Sequence, residues 1–278
     1  AVVLDGAGLD DAAMQRFARW TNLSETTFVR PPTDPQADYA LRIFTPGGEL
    51  PFAGHPTLGS CFAWLAAGGQ PKWADRIVQQ CAKGLIPIRR DGERLAFAAP
   101  PSVRSDPAPA LLADIAQALG VEPTPIVRAQ RLDNGPVWLT LQLDSADTVL
   151  ALEPDHARLA ALGQKVGVIG VYPAPTAIEL VSRSSREARA FGAPPPAPLI
   201  EVRAFAAPIG VPEDPVTGSL NASLAQWLIE AGELPPRYVA AQGTALGRAG
   251  RVHVERDAEG QVWIGGDCVG VIQGQVTL

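Results

Sequence analysis

The chain has 278 residues, 46% of them hydrophobic, and a formal net charge of −6, which is length for about two domains with enough apolar content for a core in each. The acidic balance argues against nucleic acid and anionic membrane surfaces as partners, since both recruit basic patches. No apolar run approaches the roughly 18 residues of a membrane span, and Asp5 interrupts the only apolar start, so the expectation is a cytoplasmic protein that handles small organic molecules.

Three cysteines, Cys61, Cys81 and Cys268, are odd in number and lack CxxC spacing, which fits a reducing compartment and a role as small apolar packers. The three histidines cluster with no other ligand residues, so no metal site assembles from local spacing. No GxGxxG or GxxxxGK[ST] run signals a nucleotide.

In chain order, residues 1–4 read as a strand that begins with no initiating Met, which suggests that part of the chain precedes Ala1. Asp10 and Asp11 are set to cap a helix carrying Ala13, Phe17, Ala18 and Trp20. The run NLSETTFV, residues 22–29, places Glu25 in a turn-prone Asn/Ser setting between a helix end and a strand, where a glutamate is by default a solvated turn residue.

After a polar loop with Pro31, Pro32 and Pro35, Leu41 and Ile43 alternate with Arg42 as in a half-buried strand. A Gly/Pro-rich loop then leads to Gly54, His55 and Pro56, and Cys61, Phe62, Leu65 and Ala66 follow at helical spacing. Strand-like runs start at Ile77, Leu85 and Arg94, with a hairpin turn at Asp91-Gly92.

The Pro/Ser-rich connector at 100–109 marks a boundary between a half at 1–108 and a half at 109–278, whose last strand is a candidate to pack back on the first. The second half opens with a helix bearing Leu111, Leu112, Ile115, Ala118 and Leu119. Strands are expected around Ile126 and over 137–143, a helix from about Asp155 to Leu162, strands from Val166 and Ala177, and a stiff proline-rich loop over 191–198. His156 and His253 read as structural.

The two halves share a repeated unit. LRIFTPGGELPFAGHPTLGS at 41–60 and VRAFAAPIGVPEDPVTGS at 202–219 have the same order of strand, loop, acid-base residue, Pro, two spacers, Gly and Ser. At one offset His55 aligns with Asp214, Pro56 with Pro215, Gly59 with Gly218 and Ser60 with Ser219. Pro56 and Pro215 then fall in the first turns of two helices, with His55 and Asp214 at or beside the caps, where free N–H groups and the positive dipole end suit a carboxylate. Strands dominate, and the pattern favours two halves, each a curled, mostly antiparallel sheet around one apolar helix, with a small-molecule site between them.

The motifs NLSETTFV, LRIFTPGGELPFAGHPTLGS and EDPVTGS together resemble the PhzF family of phenazine biosynthesis-like proteins, in order and over essentially the whole chain. The resemblance implies an α+β, diaminopimelate epimerase-like fold of two pseudo-symmetric domains, each a mostly antiparallel β-barrel around a central helix. It implies a homodimer and a cofactor-independent isomerase that moves a proton between carbons of a ring, as the family's enzyme does on trans-2,3-dihydro-3-hydroxyanthranilate. It assigns the acid-base role to Glu25, active-site roles to His55 and Asp214, and a site position to Ser219. The family normally begins with a strand and a Gly-Asn-Pro loop that help line the site, and the sequence starts just after the place where these would lie; Asn221 in the second helix has no assigned role.

A single carboxyl can act first as base and then as acid, so Glu25 is the candidate shuttle. His55 and Asp214 would orient the substrate, while Ser219 and the N–H groups around Gly54 and Gly218 would hold a carboxylate or developing oxyanion. Two alternatives share this cleft. One is an amino-acid epimerase or racemase, whose two thiols would stand where this chain has His55 and Asp214. The other is a non-catalytic binder of small carboxylates.

Overall fold

A computed structural model describes residues 1–92, 94–122, 125–174 and 197–278. The strand expected from Ala177 and the proline-rich stretch as far as residue 196 lie outside the described residues. The first half runs β1 (Val2–Val3), α1 (Asp11–Thr21), β2 (Thr26–Arg30), β3 (Tyr39–Thr45), β4 (Gly48–Leu50), α2 (Gly54–Ala66), β5 (Ile77–Cys81), β6 (Gly84–Asp91) and β7 (Arg94–Ala98). A short strand β8 (Val103–Ser105), helix α3 (Pro109–Leu119) and β9 (Ile126–Asp133) connect the halves. The second half runs β10 (Val137–Leu143), α4 (Ala146–Leu150), α5 (His156–Ala161), β11 (Lys165–Val171), β12 (Ile200–Ala206), β13 (Val211–Asp214), α6 (Gly218–Glu230), β14 (Arg237–Gln242), β15 (Gly250–Arg256) and β16 (Val262–Gly266).

The strands lie in the order β1-β2-β3-β5-β6-β7-β16-β15-β14-β12-β11-β10-β9-β8, with β4 on β3 and β13 on β12. Read outward from the antiparallel pair of β7 and β16, the strands of the first arm, β7 to β1, are repeated in the second by β16 to β10, which β9 and β8 then extend. The parallel pairings recur too: β1 with β2 and β3 with β5 in one arm, β10 with β11 and β12 with β14 in the other. Each arm carries one 13-residue helix, α2 or α6, on its concave side. Helix α2 touches β1, β2 and β3 as well as β7 and β16, strands from both ends of its arm, so the sheet curls around it. Among the described residues no helix is long and apolar enough to cross a membrane.

Local chemistry explains the boundaries. Asp10 caps α1 by accepting from Ala13 N–H at 2.7 Å, and Asn22 ends the helix in the left-handed region. Trp20, expected on the apolar face, is 76% exposed and stacks on Phe17, because its position turns it away from the Met14–Ala18 stripe that faces the sheet. The Asp91-Gly92 turn links β6 to β7, with Gly92 at positive φ. The Pro/Ser-rich connector contains β8, which pairs with β9.

The main core threads both central helices. Leu58 and Cys61 of α2 and Leu220, Leu224 and Leu228 of α6 are fully or almost fully buried against Phe97, Ile88, Val254 and Ile264 of the sheet. Each such side chain contributes about 1.5–3 kcal/mol. Cys61 sits in this core, where burial pushes its thiol up to about 12. Cys81 and Cys268 pack partly buried beside it.

The internal repeat needs a correction. The helices begin at Gly54 and Gly218, not at Pro56 and Pro215. Pro56 does fall in the first turn of α2, but Pro215 lies in the loop before α6. The physical reason is the hairpin before each helix. β3 and β4 join through two residues, whereas β12 and β13 join through a longer 3₁₀ turn with a register shift. Ile43 therefore pairs with Leu50 while Ala204 pairs with Asp214, so Asp214 is the counterpart of Leu50 and His55 that of Ser219. The matching string is Glu49-Leu-Pro-Phe-Ala-Gly54 against Glu213-Asp-Pro-Val-Thr-Gly218.

That alignment also pairs two ion pairs. Arg42 binds Glu49 through Nε and Nη2 at 2.7 and 2.6 Å on the surface of the first half. Arg203 binds Glu213 in the same bidentate way at 2.9 and 2.7 Å, but with side chains only 6% and 4% exposed, and its Nη1 donates to the carbonyls of Val149 and Leu152. Removing one partner of a buried pair strands the other charge, while an exposed pair contributes little. Glu213→Gln is therefore expected to cost about 3–5 kcal/mol in urea denaturation, and Glu49→Gln no more than about 1 kcal/mol.

Candidate functional site

The first turns of α2 and α6 meet head to head. A Cβ on Gly54 would lie 2.8 Å from the Gly218 Cα and 2.9 Å from the Phe97 ring, and a Cβ on Gly218 would lie 2.8 Å from the Gly54 Cα. Both helices start without a side-chain cap, at Ala53 and Thr217. Their first N–H groups and both positive dipole ends therefore converge on one place. A cleft of about 430 Å³ opens there between the halves, with Glu25, Gly54 and His55 on one wall and Asp214, Gly218 and Ser219 on the other. All six residues singled out from the sequence thus line one cavity.

Glu25 reaches the cleft because the chain turns sharply between α1 and β2. Asn22 closes α1 with its N–H on the Ala18 carbonyl, and the hydroxyls of Thr21 and Thr26 meet at 2.8 Å across the turn. The default surface position expected for a turn glutamate is not taken, since the Glu25 side chain is only 15% exposed. Its Oε2 lies 2.9 Å from His55 Nε2. The contact is an ion pair whenever the imidazole carries its proton.

Burial disfavours the imidazolium, yet Glu25, and after it Asp214 and the Val216 backbone, outweigh burial and hold the His55 pKa above its ordinary value. Asp214 ends β13. Burial raises its pKa and the nearby Glu25 adds to this, against the opposing pull of the Thr217 hydroxyl, which donates to it at 2.6 Å, and of His55. The loop carrying Asp214 is braced from beneath by Gln242, which donates to the Asp214 carbonyl and accepts from Thr217 N–H. Asn221 donates to the Thr217 carbonyl and to Gln242. Asn221 is wholly buried and is a brace of this loop rather than a cleft residue.

Two cleft residues escaped the sequence reading. Trp138 of β10 donates its indole N–H to Ser219 Oγ at 3.1 Å, and Lys165 opens β11 beside it. Neither belongs to a motif. The alternation of the 137–143 run marks a strand without saying which face meets the cleft.

A family model described as phenazine biosynthesis-like protein matches residues 1–274. The antisense-enhancing sequence 1 protein of Schizosaccharomyces pombe is 34% identical over 99% of this chain and 92% of its own length. The trans-2,3-dihydro-3-hydroxyanthranilate isomerase of Pseudomonas aeruginosa is 31% identical over 94% of this chain and 85% of its own. Among solved structures, the PhzF-family phenazine biosynthesis protein of Bacillus anthracis superposes with a TM-score of 0.78 over all of this chain and 92% of that one, at 22% identity. The epimerase-like α+β fold expected from the motifs is the one found.

Two outcomes follow from this geometry. Gly218→Ala forces apart two backbones in van der Waals contact and is expected to cost about 1–3 kcal/mol by thermal or chemical unfolding, because no flexible side chain can yield. For His55, whose folded pKa is raised, the associated stability is complete below about pH 6.5 and is lost as pH rises through the folded value. Proton NMR titration should show the His55 pKa falling in Glu25→Gln and falling less in Asp214→Asn, since Glu25 is the larger of the two supports.

Proposed function

The chain belongs to the phenazine biosynthesis-like family and is an isomerase, and from that premise we propose that it shifts a proton between two carbons of a small, carboxylated, dihydroaromatic substrate. The observation that carries this reading is the Glu25–His55 contact at 2.9 Å, set where two uncapped helix termini meet in the cleft. Glu25 takes a proton from one carbon and returns it to another on the same face of the ring. One carboxyl therefore serves as base and then as acid.

The imidazole of His55 lies 2.9 Å from the Glu25 carboxylate and fixes its orientation toward the substrate carbons. Electron density released toward the substrate's conjugated oxygen is met by the N–H groups of Gly54, Gly218 and Ser219, donors already fixed in place by the helices. Asp214, held by the Thr217 hydroxyl, faces the substrate's polar substituents from the other wall. The shift changes no oxidation state, so it calls on no redox partner.

Two-thiol racemisation fits less well. The counterpart positions in the first turns are His55 and Ser219, and none of the three cysteines lines the cleft.

The test is turnover of trans-2,3-dihydro-3-hydroxyanthranilate in deuterated water, following label into the product ring. Glu25→Gln is expected to lower turnover by about 10²–10⁴-fold with the fold intact by circular dichroism. Full turnover in that variant would remove Glu25 from the mechanism, and binding with no turnover in the unsubstituted chain would make the cleft a carboxylate receptor.

A further inference from the structure

Lys165 opens β11 on the second-half wall of the cleft. Its neighbour across the parallel β10–β11 pair is Trp138, and its ammonium lies 5.8 Å from the indole centroid. The same indole donates to Ser219 in the first turn of α6. Lys165, Trp138 and Ser219 therefore form a continuous strip from the cleft wall to the helix terminus.

The charges lining the cleft are Glu25, His55, Asp214 and Lys165. Glu25 and His55 face each other, and Asp214 is engaged by Thr217. Among the described residues Lys165 has no carboxylate within ion-pair distance. Its partial burial lowers the amine's pKa. An ammonium partly withdrawn from water, with no counter-ion among the described residues, carries a desolvation cost, which the indole face offsets only in part. An anionic ligand would remove that cost.

We propose that Lys165 is a specificity-determining residue that pairs with the carboxylate of the substrate. The Ser219 hydroxyl, which accepts from Trp138 and keeps its own hydrogen to donate, is the second contact. The substrate is thereby anchored by its acid group to the second-half wall, and its ring carbons are turned toward Glu25 on the first. The proposal rests on the small-carboxylate reading of the cleft and extends it to the recognition of one group.

The experiment is calorimetric titration with anthranilate and, as its uncharged partner, anthranilamide, which separates recognition from turnover. The unsubstituted chain is expected to prefer anthranilate. Lys165→Met should weaken anthranilate by about tenfold or more and leave anthranilamide unchanged, while Lys165→Arg should retain the preference. Competitive labelling of the Lys165 amine across pH should shift upward when anthranilate is bound.

Equal affinity for the two probes in the unsubstituted chain, no anthranilate binding at millimolar concentration, or undiminished anthranilate binding by Lys165→Met would each overturn the proposal. The same titrations on Glu25→Gln keep the two ideas apart. A preserved preference with lost turnover supports both, and a preserved preference with full turnover removes only the proton shuttle.

Discussion

Everything at the site depends on the close approach of two glycines. Gly54 and Gly218 bring the first turns of α2 and α6 together at a separation that leaves no room for a Cβ on either, with the Phe97 ring closing the gap from beneath. The approach aligns two sets of uncapped N–H groups on one small volume. It places His55 one residue into one helix and Ser219 one residue into the other. The two cleft carboxyls are then hung on the rim by different means, Glu25 from a turn and Asp214 from a strand end.

The pseudo-symmetry of the sheet makes this meeting possible. The β7–β16 pair joins the two arms, so each arm delivers its helix to the same line. Symmetry of the scaffold does not extend to the chemistry, however. The position of Asp214 in one half is held by Leu50 in the other, and that of His55 by Ser219. The buried Arg203–Glu213 pair stiffens the strand that ends at Asp214, whereas its counterpart Arg42–Glu49 lies at the surface. The second half thus supplies a rigid wall with Lys165, Trp138 and Ser219, and the first supplies the carboxyl that faces it.

Much of the fold was legible along the chain because the signals were local. Asp10 before an amphipathic run, Asp91-Gly92 between alternating runs and the two apolar helices each report on a few neighbouring residues. The motif carrying Glu25 was legible only by resemblance, since an Asn/Ser-flanked glutamate reads equally well as a solvated turn residue. The repeat was visible but misregistered. The two segments both contain Pro-x-x-Gly-Ser at the chosen offset, and only the longer turn between β12 and β13 shows that the shared glycines are Gly54 and Gly218. Lys165 and Trp138 were invisible, because a lysine at the start of a strand and a tryptophan in an alternating run belong to no pattern that indicates a cleft.

By itself the sequence determined the type of most elements and the existence of the duplication, because periodicity, capping and turn chemistry act over a few residues, while Glu25 stood out only through the resemblance of its motif. Tertiary structure alone decided which residues of the two halves are counterparts, that Glu25 lies against His55, and that Lys165, which meets no carboxylate among the described residues, stands on the opposite wall. Those facts depend on hairpin register, set by pairings such as Ala204 with Asp214, and on how closely the Gly54 and Gly218 backbones approach from opposite halves of the chain; neither shows in the local pattern of residues.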